Sequence, residues 1–85
     1  MSRSPEISTW FDSGVAQNAT HLLVVDDLED HEMYPIYIKA NEQFWSRYDC
    51  LHGKNKQSVY EVFDLRDDKT FQFDSLSPIM RTPPR

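Results

Sequence analysis

Four consecutive apolar residues, Leu22-Leu23-Val24-Val25, constrain this 85-residue chain more than any other stretch of it. Two of the four are β-branched, so the run reads as a central strand with little solvent on either face. It is also the longest apolar run in the chain, far below the roughly 18 residues that a membrane span requires. Downstream, Tyr34-Pro35-Ile36-Tyr37-Ile38-Lys39 alternates, with Tyr34, Ile36 and Ile38 on one side. Pro35 cannot donate to a ladder, which confines it to the start of a strand or to a sheet edge. The residues between, 26–33, form a connection longer than a tight hairpin turn.

Helical spacing flanks this pair. Ser4-Pro5-Glu6 has the chemistry of a helix start: a serine N-cap, proline in the first turn and an acid at the positive end of the dipole. Ile7, Trp10, Phe11, Gly14 and Val15 then share one face, and the helix is expected to end near Asn18. Asn41 is a suitable N-cap for a second helix, with Phe44, Tyr48 and Leu51 on one stripe beside Trp45. Gly53 is placed to close it in the left-handed region. Residues 59–65 are rich in strand formers and predict a third strand. Arg66-Asp67-Asp68-Lys69 has turn chemistry, and Phe71-Gln72-Phe73 is expected to return as a fourth strand, with a short helix as the alternative.

The expected fold is a single α+β domain over residues 5–76, in the order α-β-β-α-β-β. It carries an antiparallel sheet with both helices packed on one face. Residues 1–4 form an N-terminal tail, and residues 77–85, with three prolines and two arginines, a flexible C-terminal one. With Tyr37, Tyr60 and the phenylalanines on the opposite face, that face invites a partner or a second copy.

A domain this small buries only about 60–65% of the surface its unfolded chain exposes, and such domains often rely on disulfides, metals or partners. Cys50 is the only cysteine, so no intrachain disulfide forms. The lone thiol and the absence of a signal-peptide core in Met-Ser-Arg-Ser-Pro-Glu predict a cytoplasmic protein. There are 14 acids against 9 bases; residues 4–80 hold all 14 acids but 6 bases, a net of −8. Nothing resembles the clustered Lys and Arg needed to bind phosphate, so direct nucleic-acid binding and anionic membranes are not expected. A basic protein partner is the complementary expectation.

The acids concentrate in Asp26-Asp27-Leu28-Glu29-Asp30-His31-Glu32, five carboxylates and a histidine in seven residues. Three readings stand. The run is a solvated connection that keeps a small sheet soluble; or it is an epitope for a basic surface; or its oxygens hold a hard cation such as calcium, magnesium or manganese. The alternating acids and central glycine of a calcium loop are missing. Candidate partner-binding residues are Asp26, Asp27, Glu29, Asp30 and Glu32, joined by Asp64, Asp67 and Asp68. No metal, cofactor or catalytic residue is assigned. Cys50 and His52 point in different directions on a helix, the two glycines cannot build a phosphate loop, and the three histidines have no zinc spacing. An enzyme is not expected.

The segment Thr20-His21-Leu22-Leu23-Val24-Val25-Asp26, an acidic stretch and Tyr34-Pro35-Ile36-Tyr37-Ile38 resemble a family of small bacterial and phage proteins of uncharacterised function. Trp10-Phe11, Gly14-Val15-Ala16 and Glu61-Val62-Phe63-Asp64-Leu65 extend the resemblance over residues 5–66. It implies a bacterial or mobile-element setting, where small acidic proteins act as inhibitors and adaptors, including inhibitors of CRISPR machinery. By size and charge, the chain is then expected to be a protein-interaction module acting on a basic, nucleic-acid-binding surface. The alternatives are a metal-binding module or small metal-dependent enzyme built on carboxylates 26–32, and a structural homodimer. Whole-molecule DNA mimicry is disfavoured by magnitude. A duplex about 30 Å long carries roughly 18 charges, well above the net available here.

Overall fold

The computed structural model describes residues 5–53, 56–75 and 78–84. The elements are α1 (Pro5–Ala16), β1 (Ala19–Asp27), β2 (Glu32–Lys39), α2 (Phe44–Leu51), β3 (Gln57–Asp64) and α3 (Lys69–Asp74). The three strands form one antiparallel sheet in the order β2-β1-β3. The fold is α+β as expected, with the order α-β-β-α-β-α. Ser4, expected to cap α1, lies outside the described residues.

Leu22, Leu23, Val24 and Val25 are all completely buried at the centre of the sheet. Because successive side chains point to opposite faces, such a strand needs cover on both. Leu22 and Val24 pack with Ile7 and Phe11 of α1 and with Phe63, Leu65 and Phe73. Leu23 and Val25 pack on the other side with Phe44, Trp45, Tyr48 and Leu51 of α2. The expectation of both helices on one face is therefore corrected: the sheet lies between them. The connectivity supplies the reason. β2 and β3 each run antiparallel to β1 and hence parallel to each other, so the chain joining them must cross one face of β1. α2 is that crossover, and it takes the face that α1 leaves open.

The expected fourth strand is the helix α3. Asp68 caps it, its carboxylate accepting the Phe71 N–H at 3.2 Å. Phe73 then joins Phe11 and Phe63 in an aromatic cluster with centroids 5.2–6.2 Å apart. Gln72 is fully buried. Its side-chain amide accepts the Asp64 N–H at 2.8 Å and donates to the Asp64 carbonyl at 2.8 Å, pairing with Asp64 as a neighbouring strand would.

α2 starts at Phe44, without the expected Asn41 cap. Its N-cap is Gln43, which makes no side-chain capping bond. Glu42 serves the preceding strand instead, accepting the Lys39 N–H at 2.9 Å and pairing with Arg47 at 2.7 Å. Gly53 adopts φ +77°, as its position predicted. Pro35 sits in the edge strand β2, opposite Val24, where its missing N–H takes one donor off the open edge.

Gly14 sets the distance between α1 and the sheet. A Cβ there would lie 2.5 Å from Leu65 Cδ1 and 3.1 Å from the Tyr37 ring. Gly14→Val is expected to destabilise the domain by about 1–3 kcal/mol through overpacking, readable as a lowered urea midpoint with an unchanged slope.

Residues 78–84, expected in a flexible tail, are seated against the domain. Val62 and Met80 form a parallel bridge on the outer edge of β3. Of the two tryptophans, Trp10 packs against the α1 side of the core and Trp45 against the α2 side.

Candidate functional site

The acidic segment is a hairpin with a short tip. β1 extends through Asp27 and β2 begins at Glu32, with Asp26 opposite Met33 and Asp27 opposite Glu32. The connection is thus residues 28–31, four residues, shorter than the expected 26–33. The strands reach further because the backbones of Asp26, Asp27, Glu32 and Met33 stay paired in the ladder.

Asp27 builds the turn. Its Oδ1 accepts the N–H groups of Glu29 at 3.0 Å and Asp30 at 3.2 Å, and its carbonyl accepts His31 N–H at 2.7 Å. His31 closes the turn at φ 58°, a left-handed conformation that histidine tolerates better than most side chains. Leu28 N–H donates to the Lys56 carbonyl at 2.9 Å, which ties the tip to the start of β3. Asp27 is therefore a structural residue. Burial first, and the Asp27 charge second, push the Tyr34 hydroxyl above its ordinary pKa.

The other four acids of the segment are uncommitted. Among the described residues no ion pair or side-chain hydrogen bond engages Asp26, Glu29, Asp30 or Glu32. Two exposed apolar side chains stand among them, Leu28 at 50% and Met33 at 40% exposure. Sequence reasoning passed over both, although each lies inside or next to the acidic run. Lys56 brings one exposed cation to the same end of the sheet.

Asp64, Asp67 and Asp68 do not join this patch. Asp64 pairs with His21 while Asp27 pairs with Gln57. Six residues of β1, about 20 Å at strand rise, separate the two ends. All three also have local work. Asp64 Oδ1 accepts from the backbone N–H of Arg66 at 2.9 Å and from its Nε at 3.3 Å. Asp67 pairs with Arg81 at 3.4 Å, and Asp68 caps α3.

Beside Asp64, His21 is buried and edge-on to Phe44, with ring centroids 4.9 Å apart. The Thr20 hydroxyl donates to the Ile38 carbonyl at 3.1 Å, so its oxygen receives the N–H of His21 Nδ1 at 3.0 Å. Desolvation lowers the His21 pKa from its ordinary 6.5, with Asp64 opposing and Arg66 adding to the shift. A depressed folded-state pKa means that the unfolded chain takes up the proton first as pH falls. Stability is therefore whole above pH 6.5 and declines below it, down through the folded-state pKa. His21→Gln is expected to flatten that decline between about pH 7 and pH 5 in thermal melts, the range in which an unshifted histidine titrates.

Among the described residues, no three of His, Cys, Asp and Glu are grouped so as to hold a metal ion. A depression of about 390 Å³ near the start of β1 is lined by Val15, Asn18, Thr20, Ala40, Leu65 and Arg66, a set without a nucleophile–base pair. Among the same residues, no helix is long and apolar enough to cross a membrane. No protein family, curated protein or solved structure matches the chain.

Proposed function

We propose that the chain is a non-enzymatic interaction module whose acidic hairpin engages the basic, nucleic-acid-binding surface of a partner protein. Small inhibitors carried by phages and mobile elements, those directed at CRISPR effectors among them, are the class of protein to which this reading assigns it. One observation carries the reading: a hairpin braced by Asp27 holds four uncommitted carboxylates around exposed Leu28 and Met33. Charge complementarity supplies steering and register, while apolar side chains at the centre supply contact that salt does not screen. A patch serving only solubility has no need of that apolar centre.

The partner surface is local. The domain extends 31 × 31 × 22 Å, and its acids are divided between two ends of the sheet. The hairpin blocks an Arg/Lys site and does not imitate a length of duplex. A side-by-side pull-down from a bacterial host tests this, with the wild-type chain and an Asp26→Asn/Glu29→Gln/Asp30→Asn/Glu32→Gln variant as baits, quantified by mass spectrometry. The expected result is a basic protein enriched by the wild-type bait and lost from the variant. Equal recovery on both baits rejects the reading.

A further inference from the structure

The outer edge of β3 carries a second feature, independent of the hairpin reading. Residues 78–84 lie along it as an extended segment anchored at four places. Val62 N–H donates to the Ile79 carbonyl at 2.8 Å and Arg81 N–H to the Val62 carbonyl at 2.9 Å, adding a short parallel strand. Ile79 N–H donates to the carboxylate of Glu61, which is buried on β3, at 3.1 Å. The Arg81 guanidinium reaches Asp67 at 3.4 Å and lies 5.4 Å from the centroid of the Phe71 ring. The Trp45 indole N–H donates to the Pro83 carbonyl at 3.2 Å, with the Pro84 carbonyl at 3.4 Å.

These anchors combine two known modes of peptide recognition. One is strand addition to a sheet edge; the other is an indole N–H directed at a carbonyl in a proline-rich stretch. An acid and an aromatic face together make a seat for arginine. The buried Glu61 carboxylate receives a backbone N–H, a contact that any extended segment can supply. The anchors are also few and partly wet. The ladder is one bridge, the Arg81–Asp67 pair is long, and Phe71 remains 64% exposed. Contacts of this kind open at free energies well below global unfolding.

We infer that the β3 edge, with Glu61, Asp67, Phe71 and Trp45, is a binding groove for an extended Arg-x-Pro-Pro segment of a partner protein, and that residues 78–84 occupy it in cis as a displaceable competitor. Charge favours such a ligand: residues 4–80 carry a net of −8, and the segment seated in the groove presents an arginine to Asp67. A partner peptide must outcompete an intramolecular occupant whose effective concentration is of millimolar order, so the groove opens only to a strong or abundant ligand.

The test titrates a synthetic peptide, Pro-Ile-Met-Arg-Thr-Pro-Pro-Arg, into the full chain and into its Arg81→Ala/Pro83→Ala/Pro84→Ala variant, followed by tryptophan fluorescence and calorimetry. The variant is expected to bind the peptide at least tenfold more tightly than the wild-type chain. Binding to the variant is expected to be lost with a peptide whose first arginine, at the Arg81 position, is alanine, and to weaken about fivefold when Trp45→Phe is added. Equal binding by the two chains, or binding indifferent to both changes, overturns the inference. Should the triple variant not fold, hydrogen exchange on the wild-type chain decides. Exchange of the Ile79 and Arg81 amides at least 100-fold faster than those of Leu23 and Val24 supports a displaceable segment, and exchange only with global unfolding overturns it. A wild-type mass that doubles with concentration and is restored by the peptide would give the groove to a second copy and overturn the partner assignment.

Discussion

Phe63→Ala is expected to remove a large part of the stability of this domain. The ring is fully buried and touches both Phe11 of α1 and Phe73 of α3, so three elements meet on one side chain. Truncation loses the transfer free energy of the ring and leaves a cavity that the flanking helices cannot both close, at a cost of about 3–5 kcal/mol. A chain of this length has a total stability of roughly 4–13 kcal/mol, at 0.05–0.15 kcal/mol per residue. Urea denaturation followed by circular dichroism measures the loss directly. Phe63→Leu, which keeps most of the apolar volume, is expected to cost less than half as much. A change below about 1 kcal/mol for the alanine variant would mean that α1 and α3 do not converge on this ring.

The next largest effect is expected at a polar residue. Gln72→Leu keeps the approximate volume of the side chain and deletes its amide. The Asp64 N–H then loses its partner, while the Asp64 carbonyl keeps the Asp67 N–H at 3.2 Å and the Asp68 carbonyl keeps the Gln72 backbone N–H at 3.3 Å, each losing its bond from Gln72 Nε2. Leaving the Asp64 N–H unsatisfied costs about 1–3 kcal/mol and each carbonyl bond lost about 0.5–1.5 kcal/mol; Asp64 is only half-buried, so a total of about 2–4 kcal/mol is expected. A measurement near zero would show that water replaces the amide without loss. Gln72→Leu tests polar pairing and Phe63→Ala tests packing, although both act on the attachment of α3.

The two effects mark what the sequence made legible. The run from Leu22 to Val25 announced a strand buried on both faces, and the alternation after Tyr34 gave the set of β2 that packs on the α2 side. Placing α2 opposite α1 required the strand order, because only the crossing of β1 between two parallel neighbours forces a helix onto the second face. α3 was misread for a local reason. Six residues are too few for a 3.6-residue period to emerge, and Phe71-Gln72-Phe73 alternates as a strand would. A buried glutamine that pairs with a strand end leaves no pattern in sequence.

The candidate site was legible as composition and hidden as geometry. Asp26, Glu29, Asp30 and Glu32 were identifiable from charge alone. That Asp27 is spent on the turn, and that Asp64, Asp67 and Asp68 stand at the far end of the sheet, follows from register and capping. Leu28 and Met33 acquire meaning only once a four-residue turn presents them among the carboxylates. Likewise the seating of Pro83 on Trp45 joins residues 38 apart, and no local signal announces it.

The central claim is that the four hairpin carboxylates other than Asp27 are spare to the fold and serve a basic partner. Its most direct test is the dissociation constant of the captured partner from the wild-type chain and from the Asp26→Asn/Glu29→Gln/Asp30→Asn/Glu32→Gln variant, measured from 50 to 500 mM salt. The account predicts matching thermal stability for the two chains. It predicts binding at least tenfold weaker for the variant at low salt, about 0.5 kcal/mol for each of the four charges, with the two curves converging as salt screens them. Equal affinity at every salt concentration would contradict it.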